Sequence, residues 1–187
     1  MDPSLCFSTS TQVTGKIYAA DYSTSGGCVT MPDTATLLTT AVGDKNTAYT
    51  AAAAMPKAGG GLTTACPGGG AFGGLTVAPG VYKCAVNVGI ATATNLVLNG
   101  TATDVWVFEI TGSLAQAANT QVQLTGGALP QNVFWQISNG ASIGAGAHME
   151  GVILSATNIS LLTGATMKGR LLAKTGVLMD SNTVVQP

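Results

Sequence analysis

The stretch that decides the fold is Val133 to Asn139, VFWQISN, because it returns twice at a fixed distance. Eighteen residues later Gly151 to Thr157 reads GVILSAT, and eighteen residues further on Gly169 to Thr175 reads GRLLAKT. A fixed period of this length, rich in Gly and β-branched residues, is typical of stacked coils. At roughly 3.3 Å per residue, one coil has a perimeter of about 59 Å, or about 20 Å a side if it is triangular. The repeat therefore predicts a mainly β fold, a three-sided β-solenoid.

Other segments vary this pattern. Gly15 to Ala19 (GKIYA) matches Gly169 to Ala173 (GRLLA), so the N-terminus supplies one further coil. Val107 to Ile110 lies twenty-seven residues before Phe134 to Ile137, so the earlier coils are longer and their extra residues must bulge at corners. We expect the N-terminal coil to pack beside the last coil, near Thr183 to Val185, which makes the coil order discontinuous.

Residues 33–55 carry a helical pattern instead. Asp33 suits an N-cap and Pro56 a stop, and a stripe recurs at three- and four-residue spacing: Leu38, Ala41, Val42, Lys45, Ala48, Tyr49, Ala52 and Met55. An amphipathic helix must bury its stripe. One side of the solenoid has strands that are apolar on both faces, as in Val105 to Ile110 and Val133 to Ile137. Such strands are covered on both faces, so we expect the helix to lie there and name this the helix side. The whole chain, 1–187, is expected to form one domain.

Composition excludes several classes of function. Charged residues are 8% of the 187 residues and the net charge is −1, so there is no electrostatic case for a nucleic acid or an anionic membrane. No apolar run approaches the length of a membrane span. The eight acidic residues are dispersed, which argues against a carbohydrate-active solenoid enzyme, because such enzymes need carboxylates clustered on one face.

The four cysteines are widely spaced and form no CxxC pair, and a single histidine cannot complete a zinc site with them. We therefore expect no metal, and disulfides formed in an oxidising, extracellular compartment. Four cysteines allow three connectivities, of which we predict Cys6–Cys28 and Cys66–Cys84. Met1 directly precedes Asp-Pro, which indicates a mature secreted form. Two tripeptides match the N-glycosylation pattern, Asn99-Gly100-Thr101 and Asn158-Ile159-Ser160.

The two remaining sides differ in chemistry. One, the charged side, carries polar and charged residues outward: Gln121, Gln123, His148, Glu150, Thr166 and Lys168. The other, the small-residue side, reads Thr111–Leu114 (TGSL), Asn139–Ser142 (NGAS), Thr157–Ser160 (TNIS) and Thr175–Leu178 (TGVL), all uncharged. Stacking repeats equivalent residues at about 4.7–4.9 Å. Without a pocket or charge this side cannot hold a soluble ligand tightly, but it matches a flat, regular solid such as ice.

Several motifs carry a resemblance: VTGKI from Val13, LTVAPGVY from Leu75, DVWVFEI from Asp104, NVFWQI from Asn132, and HMEGVIL from His148. The chain resembles the microbial ice-binding (antifreeze) proteins, which have a discontinuous right-handed β-solenoid and a companion helix. The resemblance implies adsorption to ice with its ordered water, thermal hysteresis and inhibition of recrystallisation. It also implies that no cofactor is needed. We expect a monomer without enzymatic activity.

Members of that family present T-A/G-x-T/N steps on the ice-binding face. Here Thr111-Gly112 and Thr175-Gly176 keep the first two positions, but both steps end in Leu. The predicted ice-binding residues are Thr111, Gly112, Leu114, Asn139, Gly140, Ser142, Thr157, Asn158, Ser160, Thr175, Gly176 and Leu178. The alternative is an adhesin-like or matrix structural β-solenoid without ice activity, in which the small residues only keep the coils close-packed and soluble.

Overall fold

The computed structural model describes residues 34–54 and 64–187. The chain groups into two compact units, Met1–Thr47 and Ala48–Pro187. The single domain expected from the sequence remains a prediction. In the described residues, no helix is long and apolar enough to cross a membrane. The predicted Cys6–Cys28 disulfide, the N-terminal coil and its placement beside the last coil all lie outside the described residues.

The described elements are one helix followed by fifteen strands. They are α1 (Thr34–Ala53), β1 (Thr64–Ala65), β2 (Thr76–Val77), β3 (Gly80–Cys84), β4 (Val88–Ile90), β5 (Leu96–Asn99), β6 (Trp106–Ile110), β7 (Leu114–Gln116), β8 (Val122–Thr125), β9 (Val133–Ile137), β10 (Ala141–Ile143), β11 (His148–Ser155), β12 (Asn158–Leu161), β13 (Thr166–Ala173), β14 (Gly176–Met179) and β15 (Thr183–Val185). Short 3₁₀ turns occupy Pro67–Gly70 and Pro130–Asn132. The predicted helix is confirmed over Thr34–Ala53; Asp33, Met55 and Pro56 lie outside the described residues.

All strand pairs are parallel and build three sheets, which confirms the solenoid. The helix side holds β1-β3-β6-β9-β11-β13, the small-residue side holds β4-β7-β10-β12-β14, and β2-β5-β8 begin the charged side. The charged side continues through the first halves of β11 and β13, because Gln121 bridges to His148 and Thr166 pairs with both His148 and Thr183. Within 64–187 the coils follow chain order.

The predicted period is confirmed by the register. Phe134 pairs with Val152 and Gly151 with Gly169, each eighteen residues apart, whereas Val107 pairs with Phe134 across twenty-seven residues. The longer coils insert their extra residues between the charged side and the helix side, at 100–105 and 126–132. The shorter coils turn this corner within one strand, at Gly151 in β11.

Gly151 is required at that bend for two reasons. Its φ of 108° is one that residues with a side chain rarely adopt, and a Cβ there would lie 2.6 Å from the carbonyl oxygen of Val133. The same position one coil later is Gly169, where a Cβ would collide with the carbonyl oxygen of Gly151. Glycine therefore allows the eighteen-residue coil to close without an inserted loop.

Inside the coils the side chains form one apolar stack. Phe108 and Trp135, both fully buried, stack with ring centroids 4.3 Å apart, and Phe72 lies 5.3 Å from Phe108. The indole N–H groups of Trp106 and Trp135 donate to the carbonyl oxygens of Val77 and Glu150 at 3.1 and 3.0 Å. The coils that carry Phe72, Phe108 and Trp135 are therefore joined by ring contacts as well as by the sheet ladders.

The end of α1 packs on the helix side, as predicted. Ala52 is buried in a cluster with Val107 and Val152, and the Tyr49 hydroxyl donates to the Ser138 hydroxyl at 3.3 Å. The predicted stripe is only partly right, because the side chains of Ala41, Val42 and Ala48 are exposed. Within the unit Ala48–Pro187, the contact is made by Tyr49 and Ala52.

The helix side is also less apolar than predicted. Lys83 and Glu109 form an ion pair of 2.9 Å on the outward-facing surface of this side, and Gln136 is the next residue in register. Glu109 and Gln136 are nevertheless buried. The sequence interpretation counted these strands as apolar because their neighbours in the chain are aromatic or aliphatic.

A disulfide joins Cys66 and Cys84, the pairing that the sequence predicted for these two cysteines. Their Cα atoms are 4.7 Å apart. The register that pairs Ala65 with Lys83 places the two cysteines opposite each other at the ends of β1 and β3. The bond therefore links the first two coils described here, and Cys84 is fully buried.

Candidate functional site

The small-residue side is built by five short parallel strands whose register fixes which residues point outward. Ala115, Ser142, Ser160 and Leu178 pair across β7, β10, β12 and β14, and Gly89 of β4 continues the same line. Ala71, bridged to Gly89, adds one further position. We name this line the outward column: Ala71, Gly89, Ala115, Ser142, Ser160 and Leu178.

From β4 to β12, the residues on either side of the outward column point into the core. Leu114, Ala141 and Ile159 line up on one flank and are buried, as are Gln116, Ile143 and Leu161 on the other. Because side chains alternate along a strand, the outward column is the centre of the exposed surface of each strand. A rigid apolar core therefore holds it from behind.

Leu114 was predicted as an ice-binding residue, and this is wrong. It pairs with Ala141 and is 1% exposed, so it cannot contact anything outside the protein. The prediction aligned Leu114 with Ser142, an offset of twenty-eight, whereas the longer coil has twenty-seven residues. A slip of one residue moves a side chain to the opposite face of the sheet.

Ala115 and Gly89 are the outward residues that the sequence interpretation did not single out. The signal for Ala115 was present, because the twenty-seven-residue offset from Val107 to Phe134 also leads from Ala115 to Ser142. Gly89 lies one longer coil earlier, opposite Ala115. Neither residue type suggested a contact surface on its own.

The other predicted residues surround the outward column. Asn158 and Gly176 pair at the start of β12 and β14 and are exposed. The remaining six occupy the corner that leads into these strands: Thr111, Gly112, Asn139, Gly140, Thr157 and Thr175. This corner is held by backbone hydrogen bonds between coils, from Asn139 to Gly112 at 3.2 Å and from Thr175 to Thr157 at 3.1 Å. The structure therefore brings eleven of the twelve predicted residues to one side of the solenoid.

Polar groups on this side are oriented by one another. The Thr157 hydroxyl donates to Asn158 Oδ1, and Asn158 Nδ2 donates to the Ser160 hydroxyl, each at 3.4 Å. The Thr111 hydroxyl donates to the carbonyl oxygen of Cys84 at 3.3 Å. None of the outward residues of β4, β7, β10, β12 and β14 carries a charge.

The outward side chains of the small-residue side are short, except at the β14 end. Gly89, Ala115, Ser142 and Ser160 extend no more than two heavy atoms beyond Cα, whereas Leu178 extends three and is 63% exposed. Leu162, in the turn that follows β12, is 47% exposed. The flattest part therefore runs from β4 to β12, and a raised apolar margin lies next to it.

On the charged side, the side chains of His148, Glu150 and Thr166 form a hydrogen-bonded cluster. His148 Nδ1 lies 2.8 Å from the Thr166 hydroxyl, and His148 Nε2 lies 3.0 Å from Glu150 Oε1. The three residues stand on flat, neighbouring strands. No group of three potential metal-ligating residues occurs in the described part of the chain.

Comparison with known proteins agrees with this architecture. The chain is 42% identical over 176 residues to an ice-binding protein of a Colwellia species, and 38% identical over 176 residues to one from Flavobacterium frigoris. These alignments cover 94% of the chain, which spans 66% and 60% of the length of the two relatives.

A solved ice-binding protein from an Arctic yeast, described as having antifreeze activity, matches with a TM-score of 0.83 and 37% identity. The match covers 96% of this chain and 72% of that one, and a glycosylated form of the yeast protein has also been solved. The model of the ice-binding-like family matches residues 1–185. The strand register and the contact made by the end of the helix agree with these matches, which show that the chain belongs to the ice-binding-like family.

Proposed function

We propose that this protein adsorbs to ice through the small-residue side, which slows crystal growth, depresses the freezing point and inhibits recrystallisation. The observation that carries the proposal is the outward column, in which small uncharged residues repeat in register on parallel strands from Gly89 to Ser160. Neighbouring strands in a sheet lie about 4.7–4.9 Å apart, close to the spacing of oxygens in ice. The names of the relatives, all ice-binding proteins, support the same function.

Adsorption to a solid differs physically from binding of a soluble ligand. The outward residues of the small-residue side are short and uncharged from β4 to β12, and their hydroxyl, amide and methyl groups each bind water weakly. A flat, rigid array makes many such contacts at once and orders its own hydration water, because the strands cannot move independently. The partner is therefore the ice surface with its ordered water.

The other parts of the proposal follow from the same features. The protein acts without a cofactor and without catalysing a reaction, since its candidate face has no charged or nucleophilic group in a cleft. The Cys66–Cys84 disulfide suits a secreted protein in an oxidising environment. We propose that it works as a single-domain monomer, independent of nucleic acids and membranes.

The direct experiment is to cool a single ice crystal in a dilute solution of the protein. An ice binder shapes the crystal into facets and holds its size over a temperature interval below the melting point. The matched control is the same sample after heat denaturation, which keeps composition and osmolarity but loses the flat face. A round, freely growing crystal in the native sample would contradict the proposal.

A recrystallisation assay separates this function from an adhesin-like or matrix structural role. Crystals annealed with the protein should keep their initial size distribution, and sedimentation should show one monomeric species. Edge-to-edge assembly into filaments together with unrestrained crystal coarsening is the outcome expected of a structural solenoid.

A further inference from the structure

The two N-glycosylation tripeptides lie on different parts of the solenoid. Asn158 is the first residue of β12 on the small-residue side and is exposed. Its Nδ2 atom, the atom that accepts a glycan, donates to the Ser160 hydroxyl at 3.4 Å, within the outward column. A group attached to this nitrogen would project from the proposed ice-binding face.

Asn99 has the opposite placement. It is the last residue of β5, a strand of the charged side, and it is exposed where the chain enters the inserted loop 100–105. Asn99 Oδ1 accepts a hydrogen bond from the Thr125 hydroxyl at 3.0 Å. A group attached to Asn99 Nδ2 would therefore leave the protein at the corner between the charged side and the helix side.

The carboxylate of Asp104 helps to order the loop that follows Asn99. Asp104 Oδ2 accepts hydrogen bonds from the Thr101 backbone N–H at 2.7 Å and from the Thr101 hydroxyl at 2.9 Å. The backbone bond first, and then the hydroxyl bond, hold the pKa of Asp104 below its ordinary value. Thr101, the third residue of the tripeptide, is thus fixed in a turn away from the strands.

We propose that both asparagines accept N-linked glycans in a eukaryotic secretory pathway, with opposite consequences: a glycan on Asn99 leaves ice adsorption intact, and a glycan on Asn158 abolishes it. The inference rests on the proposed function and adds a covalent regulation of the same face. The glycosylated form of the 37% identical yeast protein shows that a relative with this fold carries a glycan.

The chemistry requires a lipid-linked oligosaccharide diphosphate as donor. The Asn Nδ2 atom bonds to the anomeric carbon of the first sugar, the bond from that carbon to the diphosphate oxygen breaks, and Nδ2 loses one proton. The lipid diphosphate leaves with the electron pair, and no oxidation or reduction takes place. The product is a bulky, hydrated group on the surface of the protein.

The size of the glycan determines its effect on ice adsorption. Ser142 and Ser160 rise two heavy atoms above Cα, whereas one sugar ring attached at Asn158 would stand well above both. A flat solid contacts the highest points of a surface, so the glycan would separate the whole outward column from the crystal. A glycan at Asn99 leaves that column uncovered, because β5 belongs to a different sheet.

The test uses the chain secreted from yeast, where both tripeptides meet the transferase, and slow freezing that partitions the protein between ice and liquid. Peptide mass spectrometry then gives the occupancy of each asparagine in the two fractions. We expect protein in the ice to carry a glycan at Asn99 in the same share as the starting material and none at Asn158. Chains glycosylated at Asn158 should remain in the liquid.

Asn99→Gln, which leaves Asn158 as the acceptor, sharpens the comparison. Its secreted, glycosylated form should stay in the liquid, and the same variant from a bacterial host without N-glycosylation should enter the ice. Equal entry of the Asn158 glycoform, exclusion of the Asn99 glycoform, or absence of a glycan from either asparagine would overturn the inference. Failure of the bacterial, unmodified wild-type chain to enter ice would instead show that the proposed function is wrong, and the inference with it.

Discussion

Ser142 and Ser160 stand opposite each other on β10 and β12, eighteen residues apart, and both side chains point out of the small-residue side. Their neighbours on each strand, among them Ile143 and Leu161, are buried. Two small hydroxyl side chains are thus held at the separation of adjacent strands by an apolar core that cannot shift to accommodate a change. A bulky side chain at either position should therefore hold ice away from its neighbours.

Replacing Leu178 should improve ice adsorption. Leu178 continues the line of Ser142 and Ser160 but is 63% exposed and stands higher than either. Leu178→Ser should therefore increase thermal hysteresis at equal concentration, with a change in unfolding free energy within about 0.5 kcal/mol. Val185→Ser is the matched control, because Val185 is a similarly exposed aliphatic residue in register with Lys168 on the charged side. A loss of activity in Leu178→Ser would mean that the leucine itself contacts ice.

Gly151 should tolerate no side chain. Gly151→Ala places a Cβ 2.6 Å from the Val133 carbonyl oxygen at a φ of 108°, so we expect a loss of about 2–4 kcal/mol in unfolding free energy. Gly176→Ala, where a Cβ meets nothing within 4 Å, should change stability by less than about 0.5 kcal/mol. Urea unfolding of the two variants measures the difference, and equal midpoints would contradict the account of the corner.

The backbone is strained at the corner between the small-residue side and the charged side. At this corner each successive coil has one residue in the left-handed backbone conformation: Ala93 (φ 61°), Asn119 (59°), Gly146 (64°), Gly164 (70°) and Ser181 (55°). Alanine has no local hydrogen bond to offset this conformation, so Ala93→Gly should raise the unfolding free energy by about 1 kcal/mol. Ala115→Gly, in a strand without positive φ, should lower it by about 0.5–1 kcal/mol. The same sign for both substitutions in urea unfolding would contradict this reading.

The Cys66–Cys84 disulfide should stabilise the fold without serving ice adsorption. It closes a separation of eighteen residues, for which the chain-entropy account gives about 3 kcal/mol. A Cys66→Ala, Cys84→Ala double variant should lose about that much unfolding free energy. Thermal hysteresis measured well below its melting temperature should be unchanged, because both cysteines lie on the helix side. Unchanged stability, or lost hysteresis in a chain that is still folded, would contradict this division of roles.

The repeat made most of the described fold predictable. The eighteen-residue spacing led to the register of β9, β11 and β13, and the twenty-seven-residue spacing showed that the earlier coils bulge at a corner. A fixed period can be recognised in the sequence because equivalent residues of successive coils make equivalent contacts. The contact of the end of the helix with the helix side followed from the strands that are apolar on both faces.

The failures are local and share a cause. Leu114 was assigned outward because a shift of one residue in a bulged coil leaves the composition of the segment unchanged while reversing the face. Gly89 and Ala115 carry no functional group, so only the register shows that they lie in the outward column. Glu109 and Gln136 are polar residues among apolar neighbours, so the sequence did not show that the outward surface of the helix side is partly polar. The ion pair between Lys83 and Glu109 shows it.

The most direct test of the account is thermal hysteresis of Ser142→Tyr compared with Gln123→Tyr. Ser142 lies at the middle of the small-residue side and is exposed, so a tyrosine there should hold ice away from the neighbouring rungs and remove most of the activity. Gln123 lies outward in β8 on the charged side, where the same substitution should leave activity unchanged. Both variants should keep the unfolding free energy within about 0.5 kcal/mol of the parent. Full activity in Ser142→Tyr with loss in Gln123→Tyr would place ice adsorption on the charged side and contradict the account.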